Sequence, residues 1–250
     1  MPIQVKKVSN LAQFTEAISH FVEEWSDAEQ GEVTLWCRGQ RDAAWGLVPG
    51  EYRLHEPNSE EIFSEFELKA RPLLREVPQS EWEWYFLMQH YGLPTRLLDW
   101  TAGALLALYF ALRDEPGEND AAVWVIDPWE LNKQTTGKAE LIVSSEAIAQ
   151  KYLPSKFFGG KKLPKAPIAI VPPYNSSRIT VQRGTFTIHG SNRHGVEQIF
   201  GSRMAKIEIP KGSAFQMKRA LRASGIGEFT VFPELDGLCR EIRAVEIDGC

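Results

Sequence analysis

A polar and aromatic run at residues 89–101 (QHYGLPTRLLDWT) constrains the fold of this chain more than any other segment. It places a histidine, a tyrosine, an arginine and an aspartate between two apolar segments. The apolar segment before it, 82–91, ends at Gly92, which predicts the end of a helix. Thr101 can cap the next segment, 102–113, which is apolar on most faces and is expected to form a buried central helix. Polar side chains at the start of such a helix are candidates for a functional site.

The length allows one large domain or two small ones, and we take the chain as a single domain spanning residues 1–250. The 250 residues include 43% hydrophobic residues and eight Trp, enough for a substantial core. No stretch approaches the roughly 18 apolar residues of a membrane span. The first residues lack the apolar region of a secretory signal. The three cysteines are odd in number and lack metal-ligand spacing, so we expect a cytoplasmic protein.

Charge is distributed unevenly along the chain, whose net charge is −5. Residues 151–222 contain 14 Lys and Arg but only two acidic residues, so this basic segment carries +12 and the remainder −17. Such a segment is typical of a surface that faces nucleic acid, a nucleotide or an acidic partner. The alternative is that the two parts neutralise each other across an internal or subunit interface.

Helical patterns dominate the first half of the chain and strand patterns the second. Apolar spacing predicts helices at residues 11–25, 62–74 and 213–225, with a short helix or turn at 233–243. Apolar or alternating runs predict strands at residues 33–37, 121–126, 168–171, 178–189, 204–209 and 229–232, with an edge strand at 245–247. This arrangement fits an α+β domain better than repeated βαβ units.

Several well-known catalytic signatures are absent from the sequence. It contains no Walker loop, no dinucleotide-binding glycine fingerprint, no His-Glu-x-x-His motif and no nucleophile elbow. His90 lies far in sequence from His189 and His194, and none of them has a second ligand at helical spacing. We therefore expect no structural zinc site.

Arg38 is the first candidate for ligand binding. It follows the apolar run 33–37 directly and precedes Gly39, so the predicted strand places its guanidinium at a sheet edge with little bulk beside it. This arrangement suits bidentate binding of a phosphate or a carboxylate. The alternative is an internal ion pair with one of the acidic residues of the first half.

The polar run itself can be explained in two ways. Arg96 and Asp99 are three residues apart and can form an ion pair if the segment is helical. Asp99 can also cap the helix that follows. His90 and Tyr91 can be aromatic wall residues, and a histidine near a helix end often has only a hydrogen-bonding role. The indication of function lies in the clustering of these side chains, not in any one of them.

Two positions in the second half are further candidates. Gln182 ends an alternating run two residues before Gly184. Glu234 and Asp236 lie beside a predicted strand-to-helix corner, where either carboxylate can cap a helix. A glutamate at that corner can equally be a catalytic acid that reaches across the sheet.

Four blocks of the sequence together resemble the FRG domain, a family named for a Phe-Arg-Gly motif. The blocks are 36–40 (WCRGQ) with Trp45, Leu47, Pro49 and Arg53; 89–101 with 107–111; 178–186; and Ile226 with 232–237. They occur in the family's order and span about residues 30–240. Two positions depart from the pattern, since Cys37 replaces the usual Phe and Glu234 stands where Asp is expected.

The resemblance implies a standalone bacterial or phage-linked domain. FRG domains are in turn distantly similar to ADP-ribosyltransferases, which split NAD and pass its ADP-ribose to a target. This implies a mixed, largely antiparallel sheet with a helical N-terminal half, and NAD as substrate without a metal. It further implies a toxin or phage-defence effector, with an antitoxin or immunity protein as partner.

Roles for individual residues follow from the same resemblance. Arg38 or Arg96 would hold the pyrophosphate of NAD, and Tyr91 would stack on nicotinamide. Glu234, Gln182 and His90 are the catalytic candidates, and Thr95 and Asp99 are further NAD-binding candidates in the second block. Loss of nicotinamide passes through an oxocarbenium-like state, which requires electrostatic stabilisation and exclusion of water. A carboxylate such as that of Glu234 can then act as general base for the acceptor.

The acceptor implied by the basic segment 151–222 is RNA or DNA, whose binding weakens steeply with salt. Two other functions stay open at this point. One is a nucleotide-binding module without turnover. The other is a nucleic-acid-binding protein that uses only the basic segment.

Overall fold

An eight-stranded sheet forms the centre of the computed structural model, which describes residues 3–26, 31–55, 59–114, 118–158, 162–172 and 181–247. The strands are β1 (Gln4–Lys7), β2 (Trp36–Gln40), β3 (Leu97–Thr101), β4 (Ala121–Ile126), β5 (Ile142–Val143), β6 (Ile168–Val171), β7 (Gly184–Ile188) and β8 (Met204–Ile209). Their order across the sheet is β1-β8-β4-β2-β3-β7-β6-β5. β1 runs parallel to β8 and β5 to β6, whereas the other neighbours are antiparallel. The expected α+β class with a mixed, largely antiparallel sheet is confirmed.

Helices surround this sheet, and those of the first half come before most of the strands. They are α1 (Leu11–Trp25), α2 (Gly50–Arg53), α3 (Ser59–Ala70), α4 (Glu81–His90), α5 (Ala104–Leu112), α6 (Pro128–Thr136), α7 (Pro154–Phe158), α8 (Val196–Ile199), α9 (Lys211–Ala223), α10 (Glu228–Val231) and α11 (Leu235–Ile242). Short 3-10 helices lie at Arg71–Leu73 and Ala149–Tyr152, and a π-helical turn lies at Arg243–Ile247.

α5 packs directly on the middle of the sheet because its sequence is apolar on nearly every side. Its buried residues are Leu106, Ala107, Leu108, Tyr109, Ala111 and Leu112. Gly39 in β2 permits this contact, since a Cβ there would lie 2.0 Å from the carbonyl oxygen of Ala107. Any other residue at position 39 would push the helix off the sheet. The prediction of a buried central helix is confirmed.

Apolar side chains cover both faces of the central strands. On one face, side chains of α1, α5 and α9 pack against alternate residues of β4 and β8, among them Val123, Val125 and Ile207. On the other face, Trp124 and Ile126 pack with residues of β2, β3 and α6. Successive side chains of β4 thus point to opposite faces of the sheet, as in any strand, and here both faces are buried.

The sheet opens between β2 and β3, and this opening positions the candidate site. The two strands pair at one position, Cys37 with Thr101. β2 pairs along its length with β4, and β3 along its length with β7. The two halves of the sheet therefore separate toward the ends at Gln40 and Leu97.

The segment after Arg96 forms strand β3 and not the start of a helix. Each residue of β3 pairs with one of β7, and α5 begins only at Ala104. The predicted capping role of Asp99 is therefore wrong, because Asp99 lies in the middle of a strand. For the same reason Arg96 and Asp99 are not neighbours on a helix face.

Other predicted elements shift or change type. The strand predicted at 33–37 begins at Trp36, so Arg38 lies inside β2 and not after it. The strand predicted at 178–189 is limited to β7, and residues 178–180 lie outside the described residues. Residues 229–232 lie in α10 and its C-cap, and 245–247 lie in the π-helical turn. Local strand propensity at 229–232 is overridden by packing, because Val231 and Phe232 are buried in the core beside α5.

Candidate functional site

A cleft of about 980 Å³ opens where β2 and β3 diverge. Its walls come from both strands, the end of α4, the loop after β2 and the turn before β7. Four of the predicted site residues line it, namely Arg38, His90, Asp99 and Gln182. The other four, Tyr91, Thr95, Arg96 and Glu234, are not among its lining residues in the described part of the chain. The volume lies at the upper end of the roughly 300–1,000 Å³ that is usual for small-molecule sites.

Arg38 spans the opening between the two strands. Its Nη1 donates to the backbone carbonyl of Asp99 at 2.7 Å and lies 3.7 Å from a carboxylate oxygen of the same residue. Its Nε is buried and has no hydrogen-bond partner among the described residues. Burial lowers the pKa of Arg38, although the neighbouring Asp99 acts in the opposite direction. A partly desolvated guanidinium that lines a cleft is suited to bind an anion.

A chain of hydrogen bonds orients Asp99 beside Arg38. Gln89 Nε2 donates to Asp99 Oδ2 at 2.7 Å. The hydroxyl of the buried Thr95 donates to Gln89 Oε1, and it accepts a hydrogen bond from the backbone N–H of Leu97 at 3.0 Å. These contacts determine which end of the Gln89 amide faces Asp99. The Asp99 side chain is 57% exposed, so its carboxylate stays open to the cleft.

His90 and Tyr91 lie at the C-terminal end of α4, and their side chains have different surroundings. His90 is half-buried and lines the cleft, whereas Tyr91 is exposed. Their rings contact edge to face, with centroids 5.1 Å apart. Tyr91 therefore supports His90 from outside in this conformation.

Gln182 holds the turn before β7 against its neighbours. Its side-chain Nε2 donates to the backbone carbonyl of Val231 at 3.1 Å. The backbone carbonyl of Gln182 accepts a hydrogen bond from Thr101 Oγ1 at 2.6 Å. These contacts tie the turn, which lines the cleft, to α10, which does not. Gln182 was predicted as a catalytic candidate, and the structure places it in the wall of the cleft.

Arg96 belongs to a different environment, a buried polar cluster behind β3 formed by Glu51, Tyr85, Arg96, Tyr152 and His189. The Arg96 guanidinium is fully buried and donates to the backbone carbonyls of His189, at 2.9 Å, and Tyr152. Its backbone N–H donates to the Tyr85 hydroxyl at 2.8 Å, and that hydroxyl contacts Glu51. Arg96 thus holds β3 to the elements behind it and does not reach the cleft.

Glu234 is exposed at the N-cap of α11 and does not line the cleft. Two residues before Glu234, the ring of Phe232 lies under the guanidinium of Arg113, whose central carbon is 4.5 Å from the centroid of that ring. Arg113 lines the cleft. A second carboxylate, Glu228, binds Arg113 at 3.1 Å and the hydroxyl of Tyr109. Glu228 therefore fixes Arg113 in the wall of the cleft.

Most of the positive charge of the cleft comes from arginines that were not predicted from the sequence. Arg41, Arg53 and Arg113 line it together with Arg38, against the carboxylates of Asp99 and Asp114. Arg53 was visible in the sequence as part of the first FRG-like block. Arg113 could be recognised only as the last residue of a predicted apolar helix. The sequence did not indicate that this end of the helix would lie at the cleft.

The basic segment is partly neutralised within the described residues. Arg203 pairs at 2.9 Å with Asp127, which lies outside the segment, whereas Lys206 pairs at 3.0 Å with Glu208, one of the two acidic residues of the segment itself. Other basic residues of the segment, such as Arg219 and Lys211, are exposed on α9. In the described part of the chain no group of three or more His, Cys, Asp or Glu side chains could hold a metal ion. No helix there combines the length and apolarity needed to cross a bilayer.

The fold and the site together define an α+β protein with an arginine-lined cleft at a split in its sheet. Residues 34–120 match the family model described as FRG domain. This stretch contains β2, the polar run and β3, and the match supports the FRG family. No curated protein and no solved structure matches the chain.

Proposed function

We propose that the cleft binds NAD and that the protein is an ADP-ribosyltransferase, which cleaves NAD and transfers ADP-ribose to a macromolecular acceptor. One observation carries the proposal. Four arginines, an oriented Asp99 and aromatic side chains line the same cleft of about 980 Å³. Arginine forks bind phosphate groups, and aromatic walls hold flat rings. A dinucleotide has both kinds of group.

Arg38 binds the pyrophosphate in this proposal. One of its nitrogens is held by the Asp99 carbonyl, which fixes the direction of the guanidinium, and the exposed part of the group, 22% of the side chain, faces the cleft. Arg53 lines the same part of the cleft and adds a second positive charge. Two guanidinium groups in a partly desolvated site favour a doubly charged anion.

The reaction breaks the bond between C1′ of the nicotinamide ribose and the ring nitrogen, which takes both electrons and leaves in neutral nicotinamide. The acceptor forms a new bond to C1′ and loses a proton to a general base. Asp99 is suited to this step because it lies in the cleft and is oriented by Gln89. Glu234, which the sequence favoured, is the second candidate, an exposed carboxylate at the N-cap of α11.

The acceptor in this proposal is RNA or DNA bound through the exposed residues of the basic segment, so transfer weakens steeply with salt. Such an activity is harmful to the cell that contains it. We therefore propose a toxin or phage-defence effector that is kept inactive by an antitoxin or immunity protein.

A second candidate function is nucleotide binding without turnover. It is favoured by the engagement of Asp99, which already accepts from Gln89 and lies 3.7 Å from Arg38, and by the position of Glu234 outside the lining of the cleft. A site of this kind would bind NAD or a related nucleotide and release no product.

Incubation with NAD labelled at its adenylate phosphate, together with total RNA, DNA and lysate protein, tests the proposal. We expect transfer of label and release of nicotinamide, and a loss of at least about 100-fold in rate for Asp99→Asn if it is the base. Glu234→Gln is the matched variant, and a larger loss there would assign the base to Glu234. Binding of NAD without nicotinamide release would instead support the nucleotide-binding module.

A further inference from the structure

Trp45 is exposed, unlike the other tryptophans of this protein. All eight tryptophans lie in the described residues, and six of them are buried while Trp129 is half-buried. The Trp45 indole is 44% exposed and lines the cleft. A large aromatic side chain that faces a polar cleft and not the core is typical of a surface that binds a ligand.

The loop that carries Trp45 is held firmly in place. The backbone N–H of Ala43 donates to the Asp120 carbonyl at 2.7 Å. On the other side of Trp45, the N–H of Leu47 donates to the Glu197 carboxylate at 2.9 Å. Because both flanks of the loop are anchored to distant elements, the exposure of the indole is a property of the folded loop.

The surroundings of Trp45 combine an aromatic face with positive charge. The Arg41 guanidinium lies 5.2 Å from the centroid of the indole, and Arg41 also lines the cleft. Arg38 and Arg53 line the same cleft. Every nucleobase has a flat face that stacks on an aromatic ring, and its phosphates accept hydrogen bonds from guanidinium groups.

We infer that Trp45 is the base-stacking residue of the cleft, on which the nucleobase of the ligand lies while its phosphates contact Arg38 and Arg53. The inference rests on the proposed nucleotide binding and makes the base a determinant of specificity. It does not depend on turnover. A sugar phosphate without a base would use only the arginines and would be bound much more weakly.

Isothermal titration calorimetry with AMP, ribose 5-phosphate and ADP-ribose tests the inference. AMP and ribose 5-phosphate form a matched pair because the first carries adenine where the second carries a hydroxyl. We expect Trp45→Ala to weaken binding of AMP and ADP-ribose about 10-fold or more, in line with the loss of one stacked base. Trp45→Phe should retain affinity within about 3-fold because it keeps an aromatic face. Ribose 5-phosphate should bind the wild type and Trp45→Ala equally.

Phe215→Ala is the control variant, because Phe215 is 62% exposed on α9, has Arg219 beside its ring and does not line the cleft. It should leave all three affinities unchanged, and thermal unfolding should show that both alanine variants are folded. Equal weakening of AMP and ribose 5-phosphate by Trp45→Ala, or no weakening of AMP, would overturn the inference. Binding that depends on Trp45 without nicotinamide release from NAD would refute only the transferase proposal.

Discussion

Arg38 and Arg96 are both surrounded by apolar strands, but they differ in what their guanidinium groups bind. Arg38 lines the cleft, is 22% exposed and contacts a carboxylate that is itself exposed. Arg96 is fully buried and donates to the carbonyls of His189 and Tyr152. Polar density in a sequence therefore does not by itself indicate a binding site. The Arg38 guanidinium lies partly open to a ligand in the cleft, whereas Arg96 uses its guanidinium to join elements of the fold.

The largest expected effect is on the stability of the Arg96→Leu variant. The substitution leaves two backbone carbonyls without their donor and removes the positive charge near the buried Glu51. We expect the free energy of unfolding to fall by about 3–5 kcal/mol. Urea unfolding followed by circular dichroism measures it.

Arg38→Leu is the matched control for this stability measurement. The Arg38 side chain is 22% exposed in the wild type, and its partner Asp99 remains solvated in the variant. We therefore expect the free energy of unfolding to fall by about 1 kcal/mol or less. Equal losses for the two leucine variants would contradict the distinction between cleft and buried cluster.

A second effect of the buried polar cluster is a dependence of stability on pH. Burial, together with the nearby charge of Arg96, lowers the pKa of His189 to about 4 from its usual value of 6.5. Between these values the unfolded chain binds a proton that the folded chain does not, so the contribution of His189 to stability falls as pH falls. Over the full window the change is about 3 kcal/mol. Unfolding free energies at pH 7.5, 6.0 and 4.5 measure it.

His189→Phe separates the contribution of His189 to this pH dependence from the contributions of the carboxylates and of the other histidines. The variant keeps a ring that can pack edge-on against Tyr52, as His189 does with centroids 6.0 Å apart. We expect a flatter pH dependence than in the wild type below pH 6.5. The same slope in both proteins would show that His189 is not the group responsible.

Strands with one dominant apolar run were predictable from the sequence. β4, β6 and β8 form at the predicted residues, because each is a short apolar or alternating run that ends at turn-forming residues. β3 was not predictable in this way, since it contains an aspartate and precedes an apolar helix. It becomes a strand by pairing with β7, whose residues lie more than 80 positions further along the chain.

The site was predictable only in part, for the same reason. The sequence could indicate Arg38, His90, Asp99 and Gln182 as a set, and all four line the cleft. It could not separate Arg38 from Arg96, because the carbonyls that bind Arg96 are 93 and 56 positions away in the chain. Which of two arginines is satisfied internally depends on such non-local contacts.

A smaller effect is expected on ligand affinity when Arg38 is changed. Arg38→Ala removes a guanidinium from the cleft, and we expect the affinity for ADP-ribose to fall about 10- to 100-fold. Calorimetric titration measures it. Arg38→Lys should restore only part of the affinity, because an ammonium group cannot form the two parallel hydrogen bonds of a guanidinium. Unchanged affinity in Arg38→Ala would place the anion elsewhere in the cleft.

The smallest expected effect concerns Thr95, which links the two regions by orienting Gln89 and thereby Asp99. Thr95→Val keeps the shape of the side chain but removes its hydroxyl, so the Gln89 amide can reverse and release Asp99. We expect a loss of about 3- to 10-fold in affinity or turnover, the size of one hydrogen bond. Thr95→Ser keeps the hydroxyl and should restore the wild-type value.

The Gln89 side-chain amide resonances provide a readout for Thr95 that overall stability does not affect. In the wild type and in Thr95→Ser they should exchange slowly with solvent, because Nε2 is bonded to Asp99 and Oε1 to Thr95. In Thr95→Val they should exchange faster at the same temperature. If exchange and affinity stay at wild-type values in Thr95→Val, then Asp99 is oriented by Arg38 alone. In that case the cleft does not depend on the hydroxyl of a buried residue.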